Sequence, residues 1–300
     1  MFEVLKRDKA GFSAVTKLVK GCWVNCVSPS GEELNYFRSL LDVPDDFLAS
    51  VQGPEEIPFI EKRENRLFVL VRVPVKVSED VPYRTVPLGL VLSKDCFASL
   101  CFHDNDVLQR FRSDVYEFIG LEPVLRMLYC VARTFLSHLK EINKEIYSTE
   151  KDLEKATRNK DLLELFEIEK SLVYFSMSIA NNRLVLEKLG RIVSRRDKDL
   201  FDDVSQEFKQ AAGMAKIYSI TLTVMMDTFG SVISNNLNTV IKALTSITII
   251  LMIPTLIASV YGMNVELPFQ HSPHAFLIIL VGSVLLSLFG VFVFWRRALF

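Results

Sequence analysis

Two stretches near the C-terminal end constrain this chain more than anything before them. Leu244 to Asn264, LTSITIILMIPTLIASVYGMN, is the first segment long and apolar enough to cross a bilayer, and Ala275 to Trp295 is the second. No charge falls among the eighteen residues from Ala243 to Val260, near the lower limit for spanning a hydrocarbon core about 30 Å thick. In lipid the backbone must satisfy its own hydrogen bonds, so helices are predicted over about 241–261 and 275–295. A hairpin of two helices cannot enclose a pore within one chain.

The first span is not uniformly apolar. Thr245, Thr248, Thr255 and Ser259 recur at spacings of three, seven and four, which puts them on one helical face. The same face runs back through Met252, Leu244, Ile241, Asn238, Ser234, Ser231 and Asp227. Small hydroxyl residues let membrane helices approach closely, and they also suit a polar lining. Periodicity alone leaves packing and pore lining open, and the two coincide where several copies pack around an axis.

The remainder is different in kind. Residues 1 to 235 have the composition of a soluble protein and the last 65 that of a membrane segment, so two structural units are expected. Net charge is −1, which gives no basic character directed at nucleic acid. MFEVLKRDKA lacks the apolar core of a signal peptide. Lys242 and Arg296-Arg297 flank the spans, while the connector Val265 to His274 has no Lys or Arg, so the positive-inside rule puts both ends in the cytoplasm of an inner-membrane protein. The five cysteines, Cys22, Cys26, Cys96, Cys101 and Cys130, are scattered and odd in number, which in a reducing compartment reads as buried apolar positions.

Residues 1 to about 120 read as mixed α/β. Trp23–Val27 is a strand candidate, Glu32–Leu41 a helix with Ser28 or Ser30 as cap, and Val43–Leu48 a short helix. Arg66–Val73 is rich in β-formers, and Pro87–Leu92 with Cys96–Phe102 flanks Ser93-Lys94-Asp95 as a hairpin. Val107–Phe118 is expected to be helical. There is no glycine-rich phosphate loop, no nucleophile elbow and no His/carboxylate cluster, so no enzyme is indicated and no organic cofactor; His103 and His138 stand alone. From Leu121 the pattern is wholly helical. Asp161, Glu164, Glu167 and Glu169 on the second long helix read as a solvated face. Phe208, Ala211, Ala215, Tyr218, Leu222, Met225, Phe229 and Val232 have the spacing of a coiled-coil seam. One continuous helix is predicted from about Asp199 to Tyr261, roughly 90 Å long at 1.5 Å per residue, bent at Pro254 and in need of partner helices.

Tyr261-Gly262-Met263-Asn264, at the outer end of the first of two C-terminal spans, resembles the signature of the CorA family of divalent-cation (Mg²⁺/Co²⁺) transporters. The similarity extends through Asn238–Thr245, Pro254–Ala258 and the basic tail Arg296-Arg297. It implies an α+β membrane protein: a cytoplasmic α/β domain (1–120), a helical hairpin and very long stalk helix (121–238), and a transmembrane domain (239–300), assembled as a homopentameric funnel. It also implies influx of Mg²⁺ driven by the membrane potential, with Asn264 holding the hydrated ion at the outer mouth. Closure by cytoplasmic Mg²⁺ is implied too, through an aspartate at the base of the long helix. Counting back from Asn238, that position matches Asp203, with Asp202 beside it; its partner acid stays open, with Asp80 and Asp95 as candidates. Asp227 would form a carboxylate ring at the cytoplasmic mouth, and Ile241, Leu244 and Met252 apolar constrictions.

Two departures bear on the ion. The connector carries one acid, Glu266, and it carries His271 and His274, whose imidazoles suit Zn²⁺, Ni²⁺ or Co²⁺ better than Mg²⁺. A Zn²⁺ transporter of the ZntB type is therefore the second expectation. A non-conducting membrane-anchored sensor or scaffold is the third.

Overall fold

The structure is a computed structural model describing residues 1–8, 11–77, 81–113, 119–155, 159–265, 267–268 and 272–296. It divides into two units, Met1–Val224 and Met225–Phe300.

The first unit is built on one seven-stranded sheet in the order β2-β1-β3-β7-β6-β5-β4. Its strands are β1 (Phe2–Asp8), β2 (Gly11–Ala14), β3 (Cys22–Val27), β4 (Phe59–Arg63), β5 (Arg66–Lys76), β6 (Tyr83–Leu92) and β7 (Cys96–Cys101). Every pairing is antiparallel except β3 with β7, where Cys22 lies opposite Cys96 and Cys26 opposite Leu100. Alternation along β3 sends Cys22, Val24 and Cys26 into a core with α1 (Gly31–Leu41) and α2 (Asp45–Gln52), which contribute Phe37, Leu41, Phe47 and Val51. Trp23 points to the other side, where its ring meets Phe111 of α3 (Asp106–Ser113) edge to face at 4.8 Å. Its indole N–H donates to the Ser99 hydroxyl at 2.9 Å, which donates in turn to Asn25 Oδ1, so the buried polar atoms here pair with one another. α1 starts as the sequence anticipates, on a capping box between Ser30 and Glu33.

Two long helices, α4 (Glu122–Lys155) and α5 (Asn159–Gly190), cover that second face. Asn182 of α5 bonds both backbone groups of Arg72 in β5, at 2.9 and 2.7 Å, and so fixes the helix against the sheet. The predicted 87–92/96–102 hairpin is present with β6 beginning earlier, at Tyr83. The helix expected over 107–118 is described to Ser113, and 114–118 lie outside the described residues. All five cysteines are buried free thiols.

The predicted continuous helix is α6, Lys198–Tyr261, with Pro254 inside it. The seam was expected to need partner helices, and its first part finds them within this single chain: Phe208, Ala211, Ala215, Leu222 and Met225 are buried, whereas Tyr218 and Phe229 are half-buried and Val232 is exposed. α4 and α5 supply the cover: Arg133 pairs with Glu207 at 3.4 Å, and a Cβ placed on Gly190 would lie 2.7 Å from the Phe201 ring.

The second unit holds the rest of α6 and α7 (Ala275–Arg296), both long and apolar enough to cross a membrane.

Candidate functional site

Two faces of α6 in the second unit have opposite characters. One packs on α7. Ser246 is 4 % exposed and Ser283 of α7 6 %; the Ser287 hydroxyl reaches the Ile250 carbonyl at 3.5 Å, and the backbone of Gly290 faces Ile253 and Ile250. Ala243, Ser246, Ile250, Ile253 and Ile257 form this stripe and are its half-buried or buried positions.

The other face carries the residues singled out from the sequence. Asp227, Ser231, Ser234, Asn238, Ile241, Leu244, Thr248, Met252, Thr255 and Ser259 are all exposed. At 3.6 residues per turn Ile241, Leu244, Thr248, Met252, Thr255 and Ser259 fall on the side of α6 opposite the α7-packed stripe, and Asp227, Ser231, Ser234 and Asn238 lie between that side and its flank. The hydroxyl stripe is therefore not the seam between the chain's own two membrane helices. That role belongs to Ser246 and Ser287, which the sequence reading did not assign; the signal available for Ser246 was its phase, about 160° from Thr248. The apolar members of the exposed face present Ile241 at 50 %, Leu244 at 64 % and Met252 at 63 % exposure.

Hydrogen bonding fixes what the hydroxyls offer outward. Thr248 donates to the Leu244 carbonyl at 2.8 Å, Thr255 to Leu251 at 2.9 Å and Ser231 to Asp227 at 3.0 Å. Each proton is directed back along the helix, so the side chains present oxygen lone pairs away from it. These three acceptors suit a cation or its water shell, and Asn238 adds an amide oxygen on the same face.

α6 ends at the signature. The Gly262 N–H bonds the Ala258 carbonyl at 2.9 Å and the Met263 N–H bonds Val260 at 3.2 Å, closing the last turn. Gly262 follows the last residue of α6. It is not in the left-handed region, which among the described glycines is occupied by Gly21 and Gly120. Its requirement is space instead: a Cβ there would sit 3.3 Å from the Ala258 oxygen. The Tyr261 hydroxyl reaches the Pro268 carbonyl at 3.5 Å, tying the helix end to the connector. Met263 and Asn264 are exposed. His274 precedes α7, its carbonyl accepting from Ile278 at 3.0 Å, while His271 lies outside the described residues.

Asp202 and Asp203 occupy the first turns of α6, both exposed; Asp202 is 3.1 Å from the Lys198 ammonium. Asp95 is exposed in the β6–β7 turn, and Asp80 lies outside the described residues. Among the described residues no three His, Cys, Asp or Glu side chains come together to hold a metal ion. A binding site that uses Asp203 therefore needs ligands from outside this set.

Comparison with known proteins agrees with this architecture along nearly the whole chain. The family described as CorA-like Mg²⁺ transporter protein matches residues 20–297. The cobalt/magnesium transport protein CorA of Methanocaldococcus jannaschii is 26% identical over 289 residues, covering 91% of this chain and 90% of that protein. Its counterpart from Thermotoga maritima is 24% identical over 230 residues, 73% of this chain and 66% of that one. In fold, the complete CorA structure from M. jannaschii superposes with a TM-score of 0.85 at 23% identity, over 99% of this chain and 98% of that one. The full-length CmaX protein gives 0.73 at 15% identity, over 99% and 97%. The chain belongs to the CorA family of Mg²⁺ transporter proteins.

Proposed function

We propose that several copies of this chain pack with the exposed stripe of α6 facing a common axis, and that Mg²⁺, and Co²⁺ with it, enters the cell along that axis. The observation that carries this is the opposition of faces: α7 covers one side of α6, and the acceptor-bearing side is left without a partner of its own chain. An acceptor row is costly against lipid and suited to a hydrated ion. Mg²⁺ dehydrates reluctantly and presents the hydrogens of its bound waters outward. Asn264 amide oxygens at the outer mouth accept those hydrogens, and Thr255, Thr248 and Asn238 repeat the contact further in. The rings of Met252, Leu244 and Ile241 between them close the path by dewetting when narrow. Asp227, below, raises the local cation concentration. A divalent ion gains about 4.6 kcal/mol per 100 mV of inside-negative potential, enough to drive entry without another energy source.

Five copies are the assembly that the family resemblance favours, with Asp203 of one copy and an acid of its neighbour binding cytoplasmic Mg²⁺ as a closing signal.

The test is ion flux into liposomes bearing the purified chain, with Mg²⁺, Co²⁺ and Zn²⁺ compared and Asn264→Ala alongside. Mg²⁺ influx that is lost in Asn264→Ala is the expected result. Flux of Zn²⁺ alone would transfer the assignment to the His271/His274 connector. A folded oligomer that passes no ion would leave the scaffold reading.

A further inference from the structure

The first unit contains a cavity of 520 Å³. It lies at the end of the sheet where β3 and β7 begin, β6 ends and the β4–β5 hairpin turns. Gly120 and Leu121, ahead of α4, and Ile192 to Asp197, the loop that leads into α6, complete its wall.

Its charge is unusual for a chain with 35 basic and 36 acidic residues. Lys20, Lys62, Arg66 and Lys94 line it against two acids, Asp95 and Asp197. Arg66 is paired with Asp42 at 2.7 Å, and Asp197 is 5 % exposed and accepts from the Ser194 hydroxyl at 2.9 Å. Lys20 from the segment ahead of β3, Lys62 from the end of β4 and Lys94 from the β6–β7 turn have no carboxylate partner among the described residues. Three unpaired ammonium groups around one concavity repel one another unless an anion sits between them. The apolar part of the lining is Leu92 and Ile192 at the surface with Leu67 and the fully buried Phe97 beneath them, so a bare inorganic anion would leave it uncovered. The volume falls in the range of about 300–1,000 Å³ usual for organic ligands.

We propose that this cavity binds a nucleoside phosphate, its phosphates among Lys20, Lys62 and Lys94 and its base on the apolar part of the lining. The Asn65 amide at the rim offers both donors and an acceptor to a base edge. No glycine-rich loop is involved, because the cations come from two connecting segments and the end of β4 instead of a helix N-terminus. The ligand also touches the segment from which α6 starts. A Cβ on Gly120 would stand 3.4 Å from the Asp197 carboxylate, and the Phe201 N–H bonds the Asp197 carbonyl at 2.9 Å, so the wall of the cavity and the first turn of α6 are one connected piece. Occupancy therefore stabilises the base of the long helix.

The test is calorimetric titration of the full-length, detergent-solubilised protein with AMP and ADP in EDTA, with adenosine and inorganic phosphate as controls. A single saturable site per chain is expected for the nucleotides, with each control at least about tenfold weaker. The double variant Lys62→Ala/Lys94→Ala should lose about tenfold or more in affinity, while its melting temperature and elution volume stay those of the parent because both side chains are exposed. Hydrogen exchange over 192–201 should slow on adding ADP. Absence of nucleotide binding, or unchanged binding by the double variant, would overturn the proposal, and phosphate binding as tightly as ADP would overturn the nucleoside. None of these readouts depends on ion flux, so this proposal and the transport one fail separately.

Discussion

Asp203 and His138 show how differently single residues stand in this chain. Asp203 is exposed, with no group of metal ligands around it within the described residues. If it serves a closing site shared between copies, Asp203→Asn should leave folding unchanged and let Mg²⁺ flux persist at internal Mg²⁺ that shuts the parent; stopped-flow influx into preloaded liposomes measures this. His138 is buried, ringed by Tyr83 and Phe175, with Asp106 at 3.6 Å, Glu141 at 3.7 Å and Lys76 across the cluster. Burial holds its proton affinity below the ordinary range, against the opposing pull of Glu141 and Asp106. Such a histidine is protonated more readily unfolded than folded. Its contribution to stability is complete above the unfolded value, about 6.5, and is lost as pH falls through that value towards the folded one. Thermal melts of the full chain should therefore drop between about pH 7 and pH 5, less steeply in His138→Phe. The isolated histidine was visible in the sequence; its carboxylate neighbours, from α3 and from one turn along α4, were not.

Among the elements, legibility follows period and length. α6 could be read almost to the residue because apolar positions three and four apart continue without proline from its start to Pro254. β5 was visible as a run rich in β-formers, and β6 and β7 as apolar runs on either side of Ser93-Lys94-Asp95. The β1–β2 hairpin escaped notice because Lys6, Arg7 and Asp8 dilute its alternation and only β3 shields it, and β4, FIEKR, is an edge strand with one half-buried face. The stripe on α6 was legible as periodicity. Its orientation relative to α7 was not, since that depends on which face of a nearly uniform apolar helix does the packing. Tight places between elements give a direct check. A Cβ on Gly89 of β6 would lie 2.6 Å from Val51 Cγ2 and 3.1 Å from the Phe47 ring of α2. Gly89→Ala should cost about 1–3 kcal/mol by overpacking, seen as a lower melting temperature. Gly290→Ala should be tolerated, because its Cβ would meet Ile253 Cδ1 at an ordinary 3.6 Å.

For the whole molecule, the burial of the α6 seam on α4 and α5 removes one reason for self-association and leaves another. The first unit covers one face of its long helix as far as Met225, leaving Ile217 and Ile220 exposed, whereas the acceptor face beyond Met225 remains open. Assembly is therefore expected to be governed by the membrane part. Native mass spectrometry of the intact chain should give one species of five copies, and charge placed on the open face, as in Thr248→Lys, should shift that mass while the melting behaviour of the first unit is kept. The family membership was readable from four residues at one helix end; the cavity at the sheet end was not, because its lysines are far apart in sequence and converge only through the topology.

The separation of the two faces of α6 also has a genetic consequence. An uncharged substitution on the open face, or just beyond it at the exposed Asn264, alters nothing that one copy needs to fold or to hold its own two membrane helices together. Such a chain would be made, inserted and incorporated alongside normal copies, and each mixed ring would carry the defect at its shared axis. An allele such as Asn264→Ala should then behave as dominant negative in a cell expressing both. A substitution of Ser246 or Gly290 by a large residue, which spoils the copy itself, should instead be recessive, because the faulty chain is lost before it can join a ring.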